Sequence, residues 1–233
     1  MNACPICAGS LGRKTYDSYF RCNDCGVEVL TPRMTDAATD EYYRTEYQAL
    51  CPTNEAQKAQ HLARATVQMN LTYPLWHGGH LLELGCSNGY LMQEFARIGY
   101  HCVGVDPHQS FEDNESMVWF PAISEVVEMP FDVIALSHTL EHFNHPREEL
   151  EHLISIYARP GTQFLIDVPN AGHGRSNEIY RPHHPFAWNS ASLRWLLGAV
   201  GLSVIFVAAH NNGRAGENNL LMVAEYDNSD YQR

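Results

Sequence analysis

The chain has 233 residues, of which 45% are hydrophobic and 18% are charged, a globular composition that excludes a disordered or fibrous protein. Its formal net charge of −12 opposes broad electrostatic binding to nucleic acid, and no apolar run approaches the roughly 20 residues that span a bilayer. The first residues lack the basic and then apolar pattern of a signal peptide, so we expect a cytoplasmic protein.

Two CxxC pairs stand near the N-terminus, Cys4 with Cys7 and Cys22 with Cys25. This spacing is typical of a four-thiolate zinc site, in which each pair turns two sulfurs toward one ion. A closed shell of four cysteines leaves no coordination position open, so we expect the zinc to be structural. The pattern predicts a zinc ribbon over residues 1–30. The glycines expected to allow the tight turns of the two pairs are Gly9 and Gly26.

Residues 31–75 are predicted to form a helical linker or lid. Asp36 is a plausible cap for a first helix, and Cys51-Pro52-Thr53 interrupts the segment. A second helix is predicted from about Asn54 to Leu71 on the basis of its apolar spacing.

From about residue 76 to residue 226, short apolar runs alternate with helical stretches. Such alternation predicts a Rossmann-like, doubly wound α/β sheet of seven strands, covered on both faces. The loop His210–Asn218 separates the last two runs without a helix, so we expect the last strand to be antiparallel. The residues between Asp106 and Phe131 are too few for a full helix-strand-helix unit, so we expect a reduced connection there. Residues 227–233 are expected to form a C-terminal tail. The predicted helices of this domain are Tyr90–Ile98, Arg147–Ala158 and Ser190–Val200.

The strongest chemical signal is an apolar strand that runs into a turn of small residues and then a helix. Gly85 and Gly89 would let the backbone of this turn approach a ligand closely. The next strand ends in Asp106, and a carboxylate at that place suits the hydroxyls of a ribose. A dinucleotide fingerprint would need glycine at positions 87 and 90, where this chain has Ser87 and Tyr90. We therefore expect a nucleoside cofactor other than NAD.

The run from Glu83 to Gly89 resembles the first motif of class I S-adenosylmethionine-dependent methyltransferases, E-x-G-x-G-x-G, with Ser87 at the middle glycine. The resemblance extends over roughly residues 78–226. It implies that the turn after Gly85 lies against the methionine part of the cofactor, that Asp106 holds the ribose, and that Glu83 organises the loop. The residues implied to bind the cofactor are Glu83, Gly85, Cys86, Ser87, Gly89, Asp106, Ser137 and His138.

After the fourth predicted strand, residues 137–146 resemble the L-E-H-x-x-[DN]-x-P stretch of many small-molecule methyltransferases, which flanks the sulfonium and the acceptor. His138 to His142 also fits H-x-x-E-H, a zinc-protease pattern, but that chemistry needs both histidines on one helix face. A polar and aromatic segment around residues 180–188 resembles the border of the acceptor pocket in similar enzymes. The candidates for aligning or deprotonating an acceptor are His142, His138, Glu141, His184, His183 and Tyr180.

A four-cysteine ribbon before this fold resembles the sugar C-methyltransferases of deoxysugar biosynthesis. Those enzymes usually carry a further C-terminal domain, which we do not expect within residues 1–233 because the seventh predicted strand ends near residue 226. The resemblance implies a sugar, glycan or small-molecule acceptor methylated on carbon or oxygen, with S-adenosylmethionine and structural zinc as cofactors. Two other hypotheses remain open at this point. One is a zinc-ribbon binding module on an inactive fold, and the other is a metallohydrolase that uses His138 and His142.

Overall fold

A computed structural model describes residues 3–46, 55–108, 111–173, 179–211 and 218–227. The predicted helix break at 51–53 and the predicted tail, apart from Asp227, lie outside the described residues. Within the described ranges, no helix is both long and apolar enough to cross a membrane. The helices are α1 (Asp36–Thr45), α2 (Glu55–Thr72), α3 (Tyr90–Arg97), α4 (Pro146–Tyr157) and α5 (Ser190–Ala199). The strands are β1 (Leu11–Tyr16), β2 (Tyr19–Cys22), β3 (Glu28–Leu30), β4 (Gly79–Leu84), β5 (Tyr100–Val105), β6 (Met117–Phe120), β7 (Val133–Ser137), β8 (Gln163–Pro169), β9 (Phe186–Ala187), β10 (Leu202–His210) and β11 (Asn219–Tyr226).

The main sheet has seven strands in the order β10-β11-β8-β7-β4-β5-β6, which confirms the predicted fold class. The pairs β8–β7, β7–β4, β4–β5 and β5–β6 are parallel, whereas β11 runs antiparallel to both of its neighbours. Parallel strands share one carboxyl edge, so the residues that follow β4, β5, β7 and β8 converge there.

Local sequence explains where the flanking helices begin. Gly89 adopts a left-handed conformation with φ of 67° before α3, which buries Leu91, Met92 and Phe95 against the sheet. A reciprocal capping box between Asn189 and Ser192 starts α5. The connection from Asp106 to β7 is reduced as predicted: its described residues hold only strand β6 and a short 3-10 turn at Ile123–Glu125.

The N-terminal region forms a second sheet in the order β1-β2-β3-β9. Its last strand comes from a distant part of the chain, because Val29 pairs with Phe186 and Glu28 with Ala187. Apolar side chains on both sides of this junction belong to one continuous core cluster, which also reaches the main sheet. This N-terminal sheet is therefore packed directly against the segment that carries His183 and His184, hereafter the histidine segment.

The two cysteine pairs end in similar turns. Ala8, with φ of 61°, follows the first pair, and Gly26, with φ of 76°, follows the second. The expectation for Gly26 agrees with this geometry, but Ala8 rather than Gly9 takes the left-handed conformation. Gly9 instead lies beside the exposed side chain of Asp24, whose Oδ2 would be 2.0 Å from a Cβ at this position.

Candidate active site

The turn between β4 and α3 wraps closely over the carboxyl edge of the sheet. Gly85, Ser87 and Gly89 have φ values of 70°, 45° and 67°, so three of its five residues are left-handed. The Gly85 amide donates to the Val105 carbonyl at 2.7 Å, which ties the turn to the end of β5. A Cβ at Gly85 would lie 2.4 Å from Thr139 Oγ1. The turn is thus a tightly held backbone cradle that tolerates no added side chain at Gly85.

Asp106 faces this cradle from the end of β5. Its Oδ2 accepts a hydrogen bond from the Ser87 amide at 3.0 Å, and its Oδ1 accepts one from the His108 amide at 3.0 Å. Burial raises the pKa of Asp106, although both amides favour the charged form. The predicted juxtaposition of Asp106 with the turn is present, and each oxygen has a further lone pair for a ligand.

Glu83 lies beneath the cradle with 3% of its surface exposed. Burial raises its pKa to about 8, and its Oε2 has no hydrogen-bond partner among the described residues. The charge of Arg64, on α2, lowers the pKa of both Glu83 and Glu141 and so lies near both carboxyl groups. Sequence reasoning missed Arg64, because nothing in the helical pattern of α2 distinguishes it.

Cys86 occupies the cradle but its side chain faces away from it. A Cβ at Gly104, on β5, would lie 2.7 Å from Cys86 Sγ. The thiol is buried in the core between α3 and the sheet, and burial raises its pKa. Cys86 therefore contributes its backbone to the turn.

Ser137 is the last residue of β7 and His138 follows it, beside the cradle. His138 has φ of 56°, and its amide donates to the Asp167 carbonyl at 2.8 Å. Its Nδ1 lies 3.5 Å from Glu141 Oε1. Burial lowers the pKa of His138 and raises that of Glu141 to about 8, so the pair is uncharged near neutrality. His138 and His142 do not share a helix face, which argues against the zinc-protease arrangement.

Three histidines meet next to this pair. His142 ends a 3-10 turn after β7, and His183 and His184 precede β9. One ring nitrogen from each lies within 4.8 Å of the others. Burial lowers the pKa of His142 to about 3 and that of His183 to about 4, so these rings are neutral. The sequence named these residues singly; the structure brings them together.

Tyr180, the remaining predicted catalytic candidate, lies against the ribbon. Its ring stacks on Tyr16 with centroids 4.3 Å apart, and its hydroxyl donates to Glu28 Oε2 at 2.9 Å. This position supports a role in joining the ribbon to the histidine segment.

A buried polar network that sequence reasoning missed lies at the end of β8. Gln68 Nε2 donates to Asp167 Oδ2 at 2.6 Å and to Ser137 Oγ at 2.8 Å, and His210 Nε2 lies 3.1 Å from Asp167 Oδ2. Gln68 shares the buried face of α2 with Ala65, Met69 and Thr72. A glutamine on the helical face that carries Ala65 and Met69 was the available signal.

The described residues also line an open cleft of about 780 Å³ between α1 and the histidine segment. Its polar wall includes Glu41, Glu46, Arg181 and His183, and Tyr42 forms part of its floor. A cleft of this size suits a small molecule, and His183 joins it to the group of three histidines.

The four N-terminal cysteines form a compact cluster without a disulfide. Sγ atoms of Cys4 and Cys25 lie 3.8 Å apart, and those of Cys7 and Cys22 lie 3.5 Å apart. A tetrahedral zinc ion with Zn–S bonds of about 2.3 Å places its sulfurs about 3.8 Å apart. The donor set and its spacing therefore fit zinc.

Comparison with known proteins gives a consistent result. A sequence profile for the methyltransferase domain matches residues 40–207, well over half of the chain. None of the curated proteins matches the sequence.

Several solved structures resemble this one. The 1,6-didemethyltoxoflavin N1-methyltransferase of Burkholderia thailandensis, with S-adenosylhomocysteine bound, has a TM-score of 0.68 at 18% identity, covering 88% of this chain and 96% of its own. Magnesium protoporphyrin IX methyltransferase from Synechocystis has a TM-score of 0.55 at 14% identity, and the match covers 82% of this chain and 95% of that one. The N-methyltransferase NodS of Bradyrhizobium japonicum has a TM-score of 0.55 at 16% identity, and the match covers 72% of this chain and 97% of that one. At such low identities the likeness establishes the fold alone.

Proposed function

The chain belongs to the family of methyltransferase domains, and we propose that it transfers the methyl group of S-adenosylmethionine to a small polar acceptor, such as a sugar or another small metabolite. The observation that carries the proposal is the cradle of Gly85 to Gly89 closed against Asp106 at the carboxyl edge of the sheet. S-adenosylmethionine, when bound, supplies a methyl group on a sulfonium, which an acceptor atom can attack in line.

The cradle fits the cofactor on two observations. Each oxygen of Asp106 accepts one backbone amide and keeps a further lone pair that a ribose hydroxyl can use. Glu83 also carries a buried carboxyl oxygen without a partner among the described residues. We assign the ribose hydroxyls to Asp106 and the methionine part to the turn, with Arg64 near its carboxylate and Glu83 near its ammonium.

The acceptor is assigned to the cleft beside α1. The pair of His138 and Glu141, with Nδ1 and Oε1 3.5 Å apart, follows β7 beside the cradle and is assigned to the acceptor side of the cofactor. Arg181 supplies a cation to the cleft wall and could hold an anionic group of the acceptor. A nucleotide-sugar or a carboxylated metabolite has such a group.

Replacing Arg181 by alanine is expected to raise the KM for the acceptor roughly tenfold to a hundredfold, the effect of losing a charged hydrogen bond. The assay is transfer of a radiolabelled methyl group from S-adenosylmethionine to a panel that begins with nucleotide-sugars. Affinity for S-adenosylhomocysteine should not change. Arg159→Ala is the matched control, since Arg159 pairs with Asp132 at the opposite edge of the sheet. Equal KM values for both variants would contradict the assignment of the cleft.

We further propose that Cys4, Cys7, Cys22 and Cys25 hold a structural zinc ion. The ion would stabilise the ribbon whose β3 pairs with β9 and so support the histidine segment. Its closed donor set leaves no position for substrate.

Cys4→Ser and Cys25→Ser should each remove one equivalent of zinc per chain, measured by elemental analysis of the purified protein. Because a structural zinc site is part of the folding free energy, the thermal midpoint should fall as well. Cys102→Ala is the control, since Cys102 is a free cysteine buried near α3. Full zinc retention in both serine variants would rule out the ribbon.

A further inference from the structure

The group of three histidines is arranged as metal ligands are, and the proposed function does not require it. Its members come from two distant parts of the chain, with ring centroids 4.6 Å apart for His142 and His184, 4.8 Å for His183 and His184, and 5.5 Å for His142 and His183. One nitrogen of each ring lies within 4.8 Å of the others. Nitrogens bound to one zinc ion at about 2.1 Å lie about 3.4 Å apart. The three ring nitrogens would therefore have to approach one another by at most about 1.4 Å to bind the same ion.

The contacts behind the rings support this interpretation more strongly than the proximity does. Metal-bound histidine almost always donates its other ring N–H to an oxygen. Nδ1 of His184 donates to the Ile179 carbonyl at 3.0 Å, which fixes the tautomer whose Nε2 carries a lone pair. Nδ1 of His183 lies 2.8 Å from Tyr42 Oη, and Nδ1 of His142 lies 2.7 Å from Tyr43 Oη. Each ring thus has an oxygen at Nδ1.

The residues around the three histidines show which of the rings a small molecule can reach. His183 lines the 780 Å³ cleft, whereas His184 is buried with 5% of its surface exposed. Arg181 is close enough to lower the pKa of all three histidines, and its charge opposes a cation. Glu46 lines the same cleft and supplies negative charge that offsets it, whereas Glu41, on the same wall, is paired with Arg44.

We propose that His142, His183 and His184 form a second metal site, distinct from the cysteine cluster, which binds a divalent transition metal through three imidazole nitrogens. Imidazole ligands suit zinc and its neighbours in the first transition row, and three protein ligands leave a fourth position. Because His183 lines the cleft, we assign that position to the cleft side of the group. The ligand assigned to the fourth position rests on the proposed function. It is an acceptor that carries a hydroxyl or carbonyl oxygen beside the atom to be methylated.

The test uses full-length protein purified without a polyhistidine tag, treated with a mild chelator that leaves the cysteine-bound zinc in place. Cobalt(II) is then added, and visible absorption follows its binding. We expect one equivalent to bind with weak d–d bands and without the intense thiolate-to-cobalt charge transfer that the cysteine cluster would give. His183→Ala should reduce this affinity about 100-fold or more, given that loss of an outer partner alone costs about 10–100-fold.

Two further variants keep the test decisive. His152→Ala, on the exposed surface of α4, should bind cobalt as the wild type does. If His183→Ala fails to fold, Tyr42→Phe with Tyr43→Phe leaves all three ligands in place and should weaken binding by about 10–100-fold. Absence of saturable cobalt binding in the wild type, or equal affinity in the wild type and the tyrosine variant, would overturn the site.

Sodium azide serves as the probe of the fourth position. Its addition should shift the d–d bands of the bound cobalt, whereas unchanged bands would show a closed site and overturn the acceptor role. These readouts need no methyl transfer. A protein that binds cobalt at the histidines but does not bind S-adenosylhomocysteine would therefore refute the proposed function and leave the metal site standing.

Discussion

Replacing Asp106 by alanine is expected to weaken the binding of S-adenosylhomocysteine by about 1–3 kcal/mol, which is roughly 5-fold to 150-fold in Kd. The variant removes the carboxylate assigned to the ribose hydroxyls. It also removes the acceptor of the Ser87 amide, so the cradle loses a contact that holds it in place. Calorimetric titration of the wild type and the variant measures both effects together.

Two other variants separate these effects. Asp106→Asn retains one carbonyl oxygen and should lose less affinity than alanine. Asp132→Ala is the matched control, because Asp132 accepts from the His80 amide at 2.8 Å, at the opposite edge of the sheet. If Asp106→Ala binds S-adenosylhomocysteine as tightly as Asp132→Ala does, the role of Asp106 is refuted.

Gly85→Ala should destabilise the protein by about 2–5 kcal/mol and remove detectable cofactor binding. Left-handed backbone costs a residue with a Cβ about 1–2 kcal/mol, and forcing an extra methyl into a packed site adds about 1–3 kcal/mol. Here φ is 70° and the new Cβ would lie 2.4 Å from Thr139 Oγ1, which itself donates to the Leu84 carbonyl at 2.9 Å. Urea unfolding measures the free energy of unfolding, and titration measures the cofactor.

Gly161 provides a matched control for this variant. Its φ is 92° and no described atom outside its chain neighbours lies within 4 Å of the position that a Cβ would take, so Gly161→Ala carries the backbone cost without the collision. It should lose about 1–2 kcal/mol and bind S-adenosylhomocysteine normally. Adding Thr139→Ala to Gly85→Ala should recover part of the stability, a coupling that a double-mutant cycle measures. Equal effects of Gly85→Ala and Gly161→Ala would contradict the steric account.

The fold and the methyltransferase class could be predicted because their signals are local. The alternation of strands and helices along the chain predicts a doubly wound α/β sheet. The predicted helices agree with α2 to α5 to within about a residue at each end. The turn from Gly85 to Gly89 and the carboxylate of Asp106 also lie close in sequence to the strands that position them. Ser87, at the middle glycine of the motif, takes the left-handed conformation expected of a glycine there, with φ of 45°.

The rest of the site depends on long-range contacts that no local pattern contains. His142 meets His183 and His184 because β9 pairs with β3 of the ribbon and holds their segment against the end of β7. The hydroxyls of Tyr42 and Tyr43, on α1, reach two of these rings, and no local sequence pattern indicates that contact. Predicting these contacts would have required knowing the strand pairing of the ribbon.

The same reason explains the residues that sequence reasoning missed around the cofactor cradle and β8. Arg64 and Gln68 lie on one helix, α2, whose pattern reveals its buried face but not the strands beneath it. Gln68 reaches Asp167 only because α2 lies over the end of β8. A polar residue on an apolar helical face is therefore worth treating as a candidate site residue.

The most direct test of the proposed function is calorimetric titration of the wild-type protein with S-adenosylmethionine, S-adenosylhomocysteine and NAD. We expect the first two to bind with micromolar affinity, on the order of −8 kcal/mol, and NAD not to bind. That result would justify the acceptor screen with the Arg181 variant. Binding of NAD, or of none of the three to folded protein, would contradict the proposal that the cradle at Gly85 and Asp106 holds S-adenosylmethionine.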